Sequence, residues 1–247
     1  MQTINCDVVI IGGGMVGLSL ANQLIESKKF KKLVLVEKES ALGLHSSGRN
    51  SGVLHAGIYY KPETLKAKVS VNGARRLKEW IKERKLSINE CGKVIVPTKL
   101  ELDSQLDVLK DRGEKNGAKV ELWDESQLQD FFPEARTASG RAIWSPNTCV
   151  VKPKEILREL ESELCVKGLE IIKNIKNLNV DMKQNLLKLS DGSKIYYGHL
   201  INCAGLNADK IAHKFNVGLK YTLLPFKGLY WKLREKSKIK VPCNLYP

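Results

Sequence analysis

The chain opens with a glycine-rich turn between an apolar strand pattern and an apolar helix pattern. Residues 7–11 predict a buried strand, and the turn that follows reads Gly-Gly-Gly-Met-Val-Gly over residues 12–17. A second apolar run, Leu33–Val36, ends on the acid Glu37, twenty residues after the last glycine of the turn. Strand, glycines, helix and spaced acid together form the fingerprint of a dinucleotide-binding β-α-β unit. We therefore expect an ADP-containing cofactor, with Glu37 accepting hydrogen bonds from the adenosine ribose.

Each residue of the turn has a predicted role. Gly12 permits the tight turn, Gly14 lets the backbone approach a pyrophosphate, and Gly17 lets the helix pack closely on the strand. The start of the helix, at Met15 and Val16, offers N–H groups and a positive dipole end to phosphates. A glycine-rich turn without a ligand is the alternative.

Composition narrows the class of protein. With 247 residues and 43% hydrophobic content, we expect a soluble globular chain of one or two domains. Three glycines interrupt the apolar start, which predicts a first strand rather than a signal peptide, and no stretch approaches the length of a membrane span. The six cysteines show neither C-x-x-C nor metal-ligand spacing. They predict buried free thiols in a reducing compartment, and no metal site.

The formal net charge of +14 raises the question of nucleic-acid binding. The basic residues are mostly lysines interleaved with acids, and no aromatic-studded basic strip appears, so we expect a solvated surface and no nucleic acid. The most basic stretches are residues 61–85 and 227–240. A positive field favours anionic substrates or an anionic membrane surface. We expect a cytoplasmic protein, and peripheral attachment to the inner membrane face stays open.

Periodicity and breakers place the remaining elements. The predicted helices span residues 15–27, 61–84, 103–117, 125–132, 153–167 and 207–215. The predicted later strands span residues 93–97, 140–144, 149–151, 169–175, 178–181 and 199–203, with 140–144 and 149–151 in one sheet and a final loop entering a strand over 223–233. Asp191-Gly192 predicts a hairpin turn.

Residues 41–57 fit neither the helical nor the strand period. This segment has four glycines and three serines, yet it also contains His45, Arg49 and His55. A flexible linker seldom contains such side chains. The composition favours a loop that lines a ligand.

These motifs together resemble one superfamily. The glycine turn, the loop, the strand Leu-Ile-Asn-Cys-Ala-Gly at 200–205 and Leu-Pro-Phe-Lys-Gly at 224–228 resemble FAD-dependent oxidoreductases of the D-amino-acid oxidase and glycerol-3-phosphate dehydrogenase type. Within it, Ser-Gly-Arg-Asn-Ser-Gly-Val-Leu-His-Ala-Gly-Ile-Tyr-Tyr at 47–60, followed by Pro62 and Leu65-Lys66, is similar to the L-2-hydroxyglutarate oxidase (dehydrogenase) group. The resemblance runs from residue 5 to the C-terminus.

The resemblance implies an α/β fold with two interleaved domains. A doubly wound, Rossmann-like FAD-binding domain is expected from residues 1–85 and 152–219. A mixed β-sheet substrate domain is expected from 86–151 and 220–247. Family members continue past Pro247, so the resemblance implies that the substrate domain is incomplete and the chain is C-terminally truncated.

The implied activity is FAD-dependent oxidation of L-2-hydroxyglutarate to 2-oxoglutarate, with hydride passing to the flavin and electrons then passing to a quinone or oxygen. An amino-acid oxidase or a glycerol-3-phosphate dehydrogenase would use the same cofactor on another substrate. A truncated FAD-binding fragment without turnover is an alternative of another class. A nicotinamide-dependent dehydrogenase is disfavoured by the Ser- and Gly-rich loop after Glu37.

The resemblance also implies cofactor contacts outside the glycine turn. Arg49 would neutralise the pyrophosphate or pack structurally, and Lys38 would lie near the adenine edge or in solvent. Gly205 would end a strand beside the cofactor, where a glycine lets the backbone approach closely, or form an ordinary turn. The implied loop contacts along the pyrophosphate and flavin are Ser46, Ser47, Gly48, Arg49, Asn50 and Ser51.

His55 is the predicted catalytic base, because oxidation of an alcohol requires loss of the hydroxyl proton and histidine accepts protons near neutral pH. A structural histidine and a covalent flavin anchor are the alternatives, and His45 is a weaker candidate. Tyr60 and Lys227 are predicted substrate contacts, although core packing is an alternative for Tyr60. The resemblance leads us to expect Arg rather than Lys at 227, and lysine lacks the planar fork of arginine for a carboxylate.

Overall fold

The computed structural model describes residues 2–231, 233–234 and 236–247. The helices are α1 (Met15–Glu26), α2 (Leu65–Glu83), α3 (Ser104–Lys115), α4 (Glu125–Phe131), α5 (Pro153–Val166) and α6 (Ala208–His213). The strands are β1 (Thr3–Ile11), β2 (Leu33–Val36), β3 (Val53–Leu54), β4 (Ile88–Asn89), β5 (Lys93–Ile95), β6 (Glu121–Asp124), β7 (Arg141–Ser145), β8 (Cys149–Val151), β9 (Glu170–Ile172), β10 (Leu178–Asp181), β11 (Leu186–Leu189), β12 (Lys194–Asn202) and β13 (Asn244–Tyr246).

The chain divides into two compact units, each built from two stretches of sequence. The first unit contains residues 1–50 and 153–230, and the second contains 51–152 and 231–247. The sequence predicts interleaving too, but with divisions after residues 85, 151 and 219. The assignment of these stretches to an FAD-binding and a substrate domain stays a prediction.

The first unit is built on a sheet with the strand order β10-β11-β12-β1-β2-β9. Strands β12, β1, β2 and β9 are parallel, and β11 and β10 add an antiparallel edge. Read from β9 to β12, the parallel strands follow the chain order third, second, first, fourth. This is the strand order of a doubly wound dinucleotide-binding half.

The central strand β1 is buried on both faces. Val8, Val9 and Ile10 are fully buried, which explains why the sequence shows a continuous apolar run here instead of an alternation. On one face, Val9 packs in a core cluster with Ile195 and Leu187. Helices α1 and α5 pack against each other. Because β12, β1, β2 and β9 run parallel, their carboxyl ends lie along one edge of the sheet. In folds of this class, ligands bind at that edge.

The second unit contains two small sheets with the strand orders β13-β5-β7-β6 and β3-β8-β4. In the first of them, β5 pairs antiparallel with β7 and parallel with β13, so that Lys93 lies opposite Ser145 and Asn244. Ile58 from the loop before α2 and Leu106 from α3 pack in the core cluster below this sheet. Strand β5 thus places Lys93 beside strand β13 and beside Tyr59 in the loop that follows β3.

Two expectations about elements are wrong, and several strands were not predicted. The predicted strands at 140–144 and 149–151 lie in different sheets, because β8 pairs with β3 and β4, whereas β7 pairs with β5 and β6. The described residues of 223–233 contain no strand, and their apolar side chains are exposed, with Trp231 96% exposed. The strands that were not predicted are β3, β4, β6, β11, β13 and the start of β12, although the hairpin turn between β11 and β12 was predicted. Lys232 and Glu235, in the basic stretch 227–240, lie outside the described residues.

The six cysteines are free, but the expectation that all are buried is wrong. Cys149 and Cys243 are buried, whereas Cys165 is exposed. Cys165 follows Leu164 on α5, and the next position on a helix turns away from the buried face. Among the described residues, no helix combines the length and apolar character needed to cross a membrane.

Candidate functional site

A cleft of about 930 Å³ lies in the first unit, where β1, β2, β9 and β12 end. This volume is in the range of small-molecule and cofactor sites. The cleft brings together much of the predicted cofactor set. The members that line it are Gly12, Gly14, Val16, Glu37, Lys38, Ser46, Ser47 and Gly205.

The glycine turn is fixed by close backbone contacts. Gly12 has a φ of +109°, and a Cβ atom there would overlap the carbonyl oxygen of Cys203. The Gly12 N–H donates to the Val36 carbonyl at 2.8 Å. A Cβ atom at Gly17 would overlap the Gly12 carbonyl oxygen, so helix α1 packs directly on the turn. The turn is therefore held between β2 and β12, and side chains at Gly12 and Gly17 are excluded.

Helix α1 presents its N-terminus to the cleft. Gly14 precedes the helix without a side-chain cap, and the first turn contains no acidic residue. The Ser47 hydroxyl accepts a hydrogen bond from the Met15 N–H at 2.9 Å. Main-chain N–H groups and the positive end of the helix dipole favour an anion at this position.

Glu37 is buried, with 7% of its surface exposed, and its carboxylate is held by the main chain. One oxygen accepts from the Gly13 N–H at 2.7 Å, and the other accepts from the Glu39 N–H at 3.0 Å. Each carboxylate oxygen retains a further lone pair. Glu37 thus holds the glycine turn through its bond to the Gly13 N–H. The predicted hydrogen bond from a ribose to Glu37 stays a prediction.

Lys38 and His45 both contact the carboxylate of Glu39. The Lys38 ammonium lies 3.4 Å and the His45 Nε2 lies 2.9 Å from Glu39 Oε1. Hydrogen bonds from His45 and then Lys38 lower the pKa of the Glu39 carboxyl. Lys38 is therefore ion-paired at the cleft wall, and its predicted place at the adenine edge is untested.

The rest of the predicted loop is ordered by its own main chain. The Asn50 side-chain amide donates to the Ser46 and Ser47 carbonyls at 3.0 and 2.9 Å. Arg49 is exposed. Ser51 belongs to the second unit. The cofactor contacts of Arg49, Asn50 and Ser51 stay predictions.

Gly205 lines the cleft in a different setting from the predicted one. Strand β12 ends at Asn202, and Gly205 begins a 3-10 turn with a φ of +53°. No atom of the described residues lies within 4 Å of the position of an added Cβ atom. Glycine is therefore favoured at position 205 by its backbone angle, and a side chain there would meet no close contact with the described residues.

Several basic residues of the cleft were missed in the sequence. Lys176, Lys210, His213 and Lys214 line it. The His213 Nε2 lies 3.1 Å from the carbonyl oxygens of Gly218 and Tyr221. The missed lysines follow β9 and β12 in the chain. The rule that ligands bind at the carboxyl ends of parallel strands could have found them, had both strands been placed in this sheet.

The cleft residues fit the ADP half of a flavin dinucleotide. The cleft lies at the N-terminus of α1, is lined by Gly12 and Gly14 of the glycine turn, and includes Lys176, Lys210 and Lys214 in its wall. A pyrophosphate needs positive charge and N–H donors, and this donor set supplies both.

His55 lies in the second unit, between two tyrosines. Its ring meets those of Tyr59 and Tyr246 edge to face, each at a centroid distance of 6.0 Å. The Nδ1 atom is buried and has no hydrogen-bond partner among the described residues. Burial and, to a lesser extent, the charge of Lys93 lower the pKa of His55. The neutral imidazole, which can accept a proton, is therefore the form present at neutral pH.

Lys93 is the most unusual residue beside His55, and the sequence reading placed it only at the start of a strand. Its side chain is fully buried. The ammonium donates to the Tyr59 hydroxyl at 3.1 Å and lies 4.2 and 5.2 Å from the ring centroids of Tyr59 and Tyr246. Burial lowers the pKa of Lys93 to about 8 and raises the pKa of Tyr59 to about 12. A lysine within the apolar run Lys-Val-Ile-Val was the available signal.

The two predicted substrate contacts lie in different units. Tyr60 is in the second unit, with the Lys66 ammonium 4.6 Å from its ring centroid. Lys227 is in the first unit and is exposed. Their roles, like that of His55, stay predictions.

Comparison with known proteins identifies consistent relatives. The profile of the DAO family, described as FAD dependent oxidoreductase, matches residues 7–247. The chain is 33% identical over 260 residues to the mitochondrial L-2-hydroxyglutarate dehydrogenase of Homo sapiens, covering 100% of this chain and 56% of that protein. It is 32% identical over 244 residues to the L-2-hydroxyglutarate dehydrogenase of Escherichia coli K12, covering 98% of this chain and 57% of that protein. The chain thus spans little more than half the length of these relatives.

Solved structures share the fold. The dithionite-reduced L-α-glycerophosphate oxidase of Mycoplasma pneumoniae with FAD bound has a TM-score of 0.72 and 25% identity, covering 86% of this chain and 57% of that one. Glycine oxidase from Geobacillus kaustophilus has a TM-score of 0.73 and 17% identity, covering 86% and 59%. The predicted fold class and the predicted cofactor, FAD, are confirmed.

Proposed function

The chain belongs to the DAO family of FAD-dependent oxidoreductases, and on this premise we propose that it oxidises L-2-hydroxyglutarate to 2-oxoglutarate. The observation that carries the proposal is the similarity to proteins named L-2-hydroxyglutarate dehydrogenase. It extends over at least 98% of this chain at 31–34% identity, in animals, Dictyostelium discoideum and bacteria. The loop at 47–60 supports the same substrate.

The chain's own residues would hold the cofactor at the cleft. The Val16 N–H and the positive end of α1 would face the pyrophosphate, with Met15 and its hydrogen-bond partner Ser47 beside them and Arg49 as a neutralising charge. Glu37 would bind the adenosine ribose through its remaining lone pairs. FAD, when bound, supplies the electron acceptor for the oxidation.

His55 would act as the base that receives the proton of the substrate hydroxyl. Its buried Nδ1 lacks a partner among the described residues, and its lowered pKa favours the neutral form. Tyr60 and Lys227 would contact the substrate carboxylates. A structural role and a covalent bond to the flavin remain the alternatives for His55.

We further propose that the electrons pass on to a quinone or to oxygen. The enzyme would work in the cytoplasm, and its basic surface would suit attachment to the inner face of a membrane. Several relatives are named as mitochondrial, so the compartment of this protein has to be measured in the cells that produce it.

The visible spectrum of the purified chain, recorded before and after anaerobic addition of L-2-hydroxyglutarate, tests cofactor and substrate together. We expect flavin bands that bleach with the L-acid and persist with its D-enantiomer. Bands that persist with both acids would contradict the proposed substrate. A colourless chain that stays colourless with added FAD would contradict flavin binding by these 247 residues.

A second candidate substrate is glycerol 3-phosphate, favoured by the 25% identity to the Mycoplasma pneumoniae L-α-glycerophosphate oxidase. A panel of L-2-hydroxyglutarate, glycerol 3-phosphate and several L-amino acids distinguishes the candidates. If glycerol 3-phosphate is the only compound of the panel that bleaches the flavin bands, it is the substrate and the proposed hydroxy acid is wrong.

The role of His55 is tested by His55→Gln, with His199→Gln as the matched control because His199 packs edge to face on Phe30 instead. We expect loss of His55 to slow flavin reduction about 100-fold or more, the usual contribution of a general base. The control should reduce at the wild-type rate. Equal rates in all three proteins would rule out His55 as the base.

A further inference from the structure

Lys93 has an unusual environment for a lysine. Its side chain is fully buried, and among the residues that the structure describes no carboxylate lies within 4.0 Å of its ammonium. Lysine is almost never fully buried unless it is paired. An apolar side chain of similar volume would usually serve packing at such a position equally well or better. The charge at Lys93 therefore calls for a role other than packing.

Two tyrosines hold this ammonium in place. Its centre lies 4.2 Å from the ring centroid of Tyr59 and 5.2 Å from that of Tyr246, which is the geometry of cation–π contacts. The ammonium also donates to the Tyr59 hydroxyl at 3.1 Å. Because the Tyr59 oxygen accepts this bond, its own hydrogen can be donated to another acceptor. The hydrogen bond from Lys93 makes Tyr59 a stronger donor.

The same two rings contact His55, so Lys93 and His55 share one cluster. The groups that face His55 come from β5 (Lys93), from β13 (Tyr246) and from its own loop (Tyr59). On α3, the Arg112 guanidinium donates to the Tyr59 carbonyl at 3.3 Å and adds positive charge nearby. Among the described residues, the charged group that lowers the pKa of His55, in addition to burial, is Lys93.

We propose that Lys93 is a positioning residue for the oxidation of a 2-hydroxy acid at this cluster. Its ammonium donates to the Tyr59 hydroxyl and holds it as a hydrogen-bond donor for a substrate carboxylate, and its charge, next to the two rings that contact His55, adds to burial in disfavouring a proton on that imidazole. The inference rests on the proposed function for its substrate. The coupling between Lys93 and His55 can be measured without any substrate.

The first test is an NMR pH titration of the histidine ring signals in the wild-type chain and in Lys93→Met. The chain has four histidines, so His55→Gln assigns the signal. We expect His55 to titrate at higher pH in Lys93→Met, because the nearby positive charge is gone and the protonated ring costs less. Lys119→Met, which removes an exposed lysine paired with Glu121, should leave the titration unchanged. An unchanged His55 titration in Lys93→Met would overturn the proposal.

The second test is the pH dependence of flavin reduction by L-2-hydroxyglutarate. In Lys93→Met we expect the acidic limb of kcat/KM to move to higher pH, together with the NMR titration. Tyr59→Phe keeps the ring under the ammonium and removes only the hydroxyl, so we expect KM to rise about tenfold for the loss of one charge-supported hydrogen bond. A wild-type KM in Tyr59→Phe would overturn the role of Tyr59 as a substrate donor.

The two tests separate the inference from the proposed function. A wild-type chain that L-2-hydroxyglutarate fails to reduce contradicts the proposed substrate, and the NMR titration still decides the coupling. A chain that is reduced normally, with identical pH profiles in wild type and Lys93→Met, retains the proposed function and overturns the inference.

Discussion

The cleft of the first unit and the His55–Lys93 cluster of the second unit are built in opposite ways. The cleft owes its shape largely to main chain: a Cβ atom at Gly12 would overlap the Cys203 carbonyl oxygen, and Gly14 at the N-cap of α1 has no side chain, so that the Met15 N–H donates to Ser47 from the loop instead. The cluster is made of side chains, with Lys93 against the rings of Tyr59 and Tyr246. A site made of main chain depends on the absence of side chains, whereas a site made of side chains depends on their chemistry.

This difference predicts different responses to substitution. An added methyl group in the cleft displaces backbone that belongs to the central sheet, so stability and cofactor binding should fall together. A replacement of similar shape in the cluster keeps the packing and removes only the charge, so stability and catalysis should separate. Four substitutions measure how far the contrast extends.

The largest effect is expected for Gly12→Ala. The new Cβ atom overlaps the Cys203 carbonyl and must also tolerate a φ of +109°, so we expect a loss of about 3 kcal/mol or more in the free energy of unfolding and of FAD binding with it. Urea denaturation and flavin titration measure both.

Gly168→Ala is the matched control for this substitution. Gly168 follows α5 with a φ of +93°, but no atom of the described residues lies within 4 Å of an added Cβ atom. We expect a loss of about 1 kcal/mol from the backbone angle alone, with FAD affinity unchanged. Equal losses in the two variants would show that the contact with Cys203 adds nothing.

Lys93→Met should have the next largest effect, and in the opposite direction. The wild-type ammonium is buried without a carboxylate partner among the described residues, so we expect the variant to be more stable by about 1–3 kcal/mol at neutral pH. Thermal unfolding measures the gain. A variant that is clearly less stable would mean that the charge supports packing, and the contrast between the two sites would fail.

The pH dependence of this gain follows from the lowered pKa of Lys93. In the folded chain the ammonium loses its proton near pH 8, whereas the ordinary lysine value is 10.5. Between these values the unfolded chain binds more protons, so the wild type gains stability as the pH rises. The advantage of Lys93→Met should therefore shrink between about pH 8 and 10.5. A constant advantage would mean that burial does not lower the pKa of Lys93 in the folded chain.

The same contrast explains what the sequence could predict. The glycine turn, β1, α1 and Glu37 are adjacent or evenly spaced in the chain, so the parallel unit and its cofactor could be inferred from local pattern. The cluster joins residues 55, 59, 93 and 246, which meet only after β5 has paired with β13. The apolar run that follows Lys93 was a local signal of burial, but no local pattern shows that the rings of Tyr59 and Tyr246 lie beside it. The missed Lys176 and Lys210 likewise depend on which strands join the sheet.

A smaller effect is expected for Ser47→Ala, which removes a side-chain hydroxyl that is hydrogen-bonded to the start of α1. Its hydroxyl accepts from the Met15 N–H at 2.9 Å, so its loss should cost about 1 kcal/mol and weaken FAD binding by a similar amount. Ser126→Ala, at an exposed position of α4 in the second unit, is the matched control. If both variants bind FAD like the wild type, the helix start is held by main chain alone.

The smallest effect concerns Asp7, a surface charge of the first unit that contrasts with the buried charge of Lys93. Its carboxylate accepts from the N–H groups of Lys31 and Lys32 at 2.6 and 2.9 Å, and these bonds, with that of Lys32 the stronger, lower the pKa of Asp7. A lowered carboxyl pKa contributes stability that is present above the ordinary value of 3.8 and is lost as the pH falls through the folded value.

Urea denaturation at a series of acidic pH values should show the wild type losing its stability advantage over Asp7→Asn as the pH falls below 3.8. Asp130→Asn, at an exposed position of α4, is the comparison variant. If Asp7→Asn keeps a constant difference from the wild type, the two main-chain bonds do not depend on the charge of the carboxylate. The first unit would then rely on hydrogen-bond geometry alone at this edge, while the second unit depends on a charge.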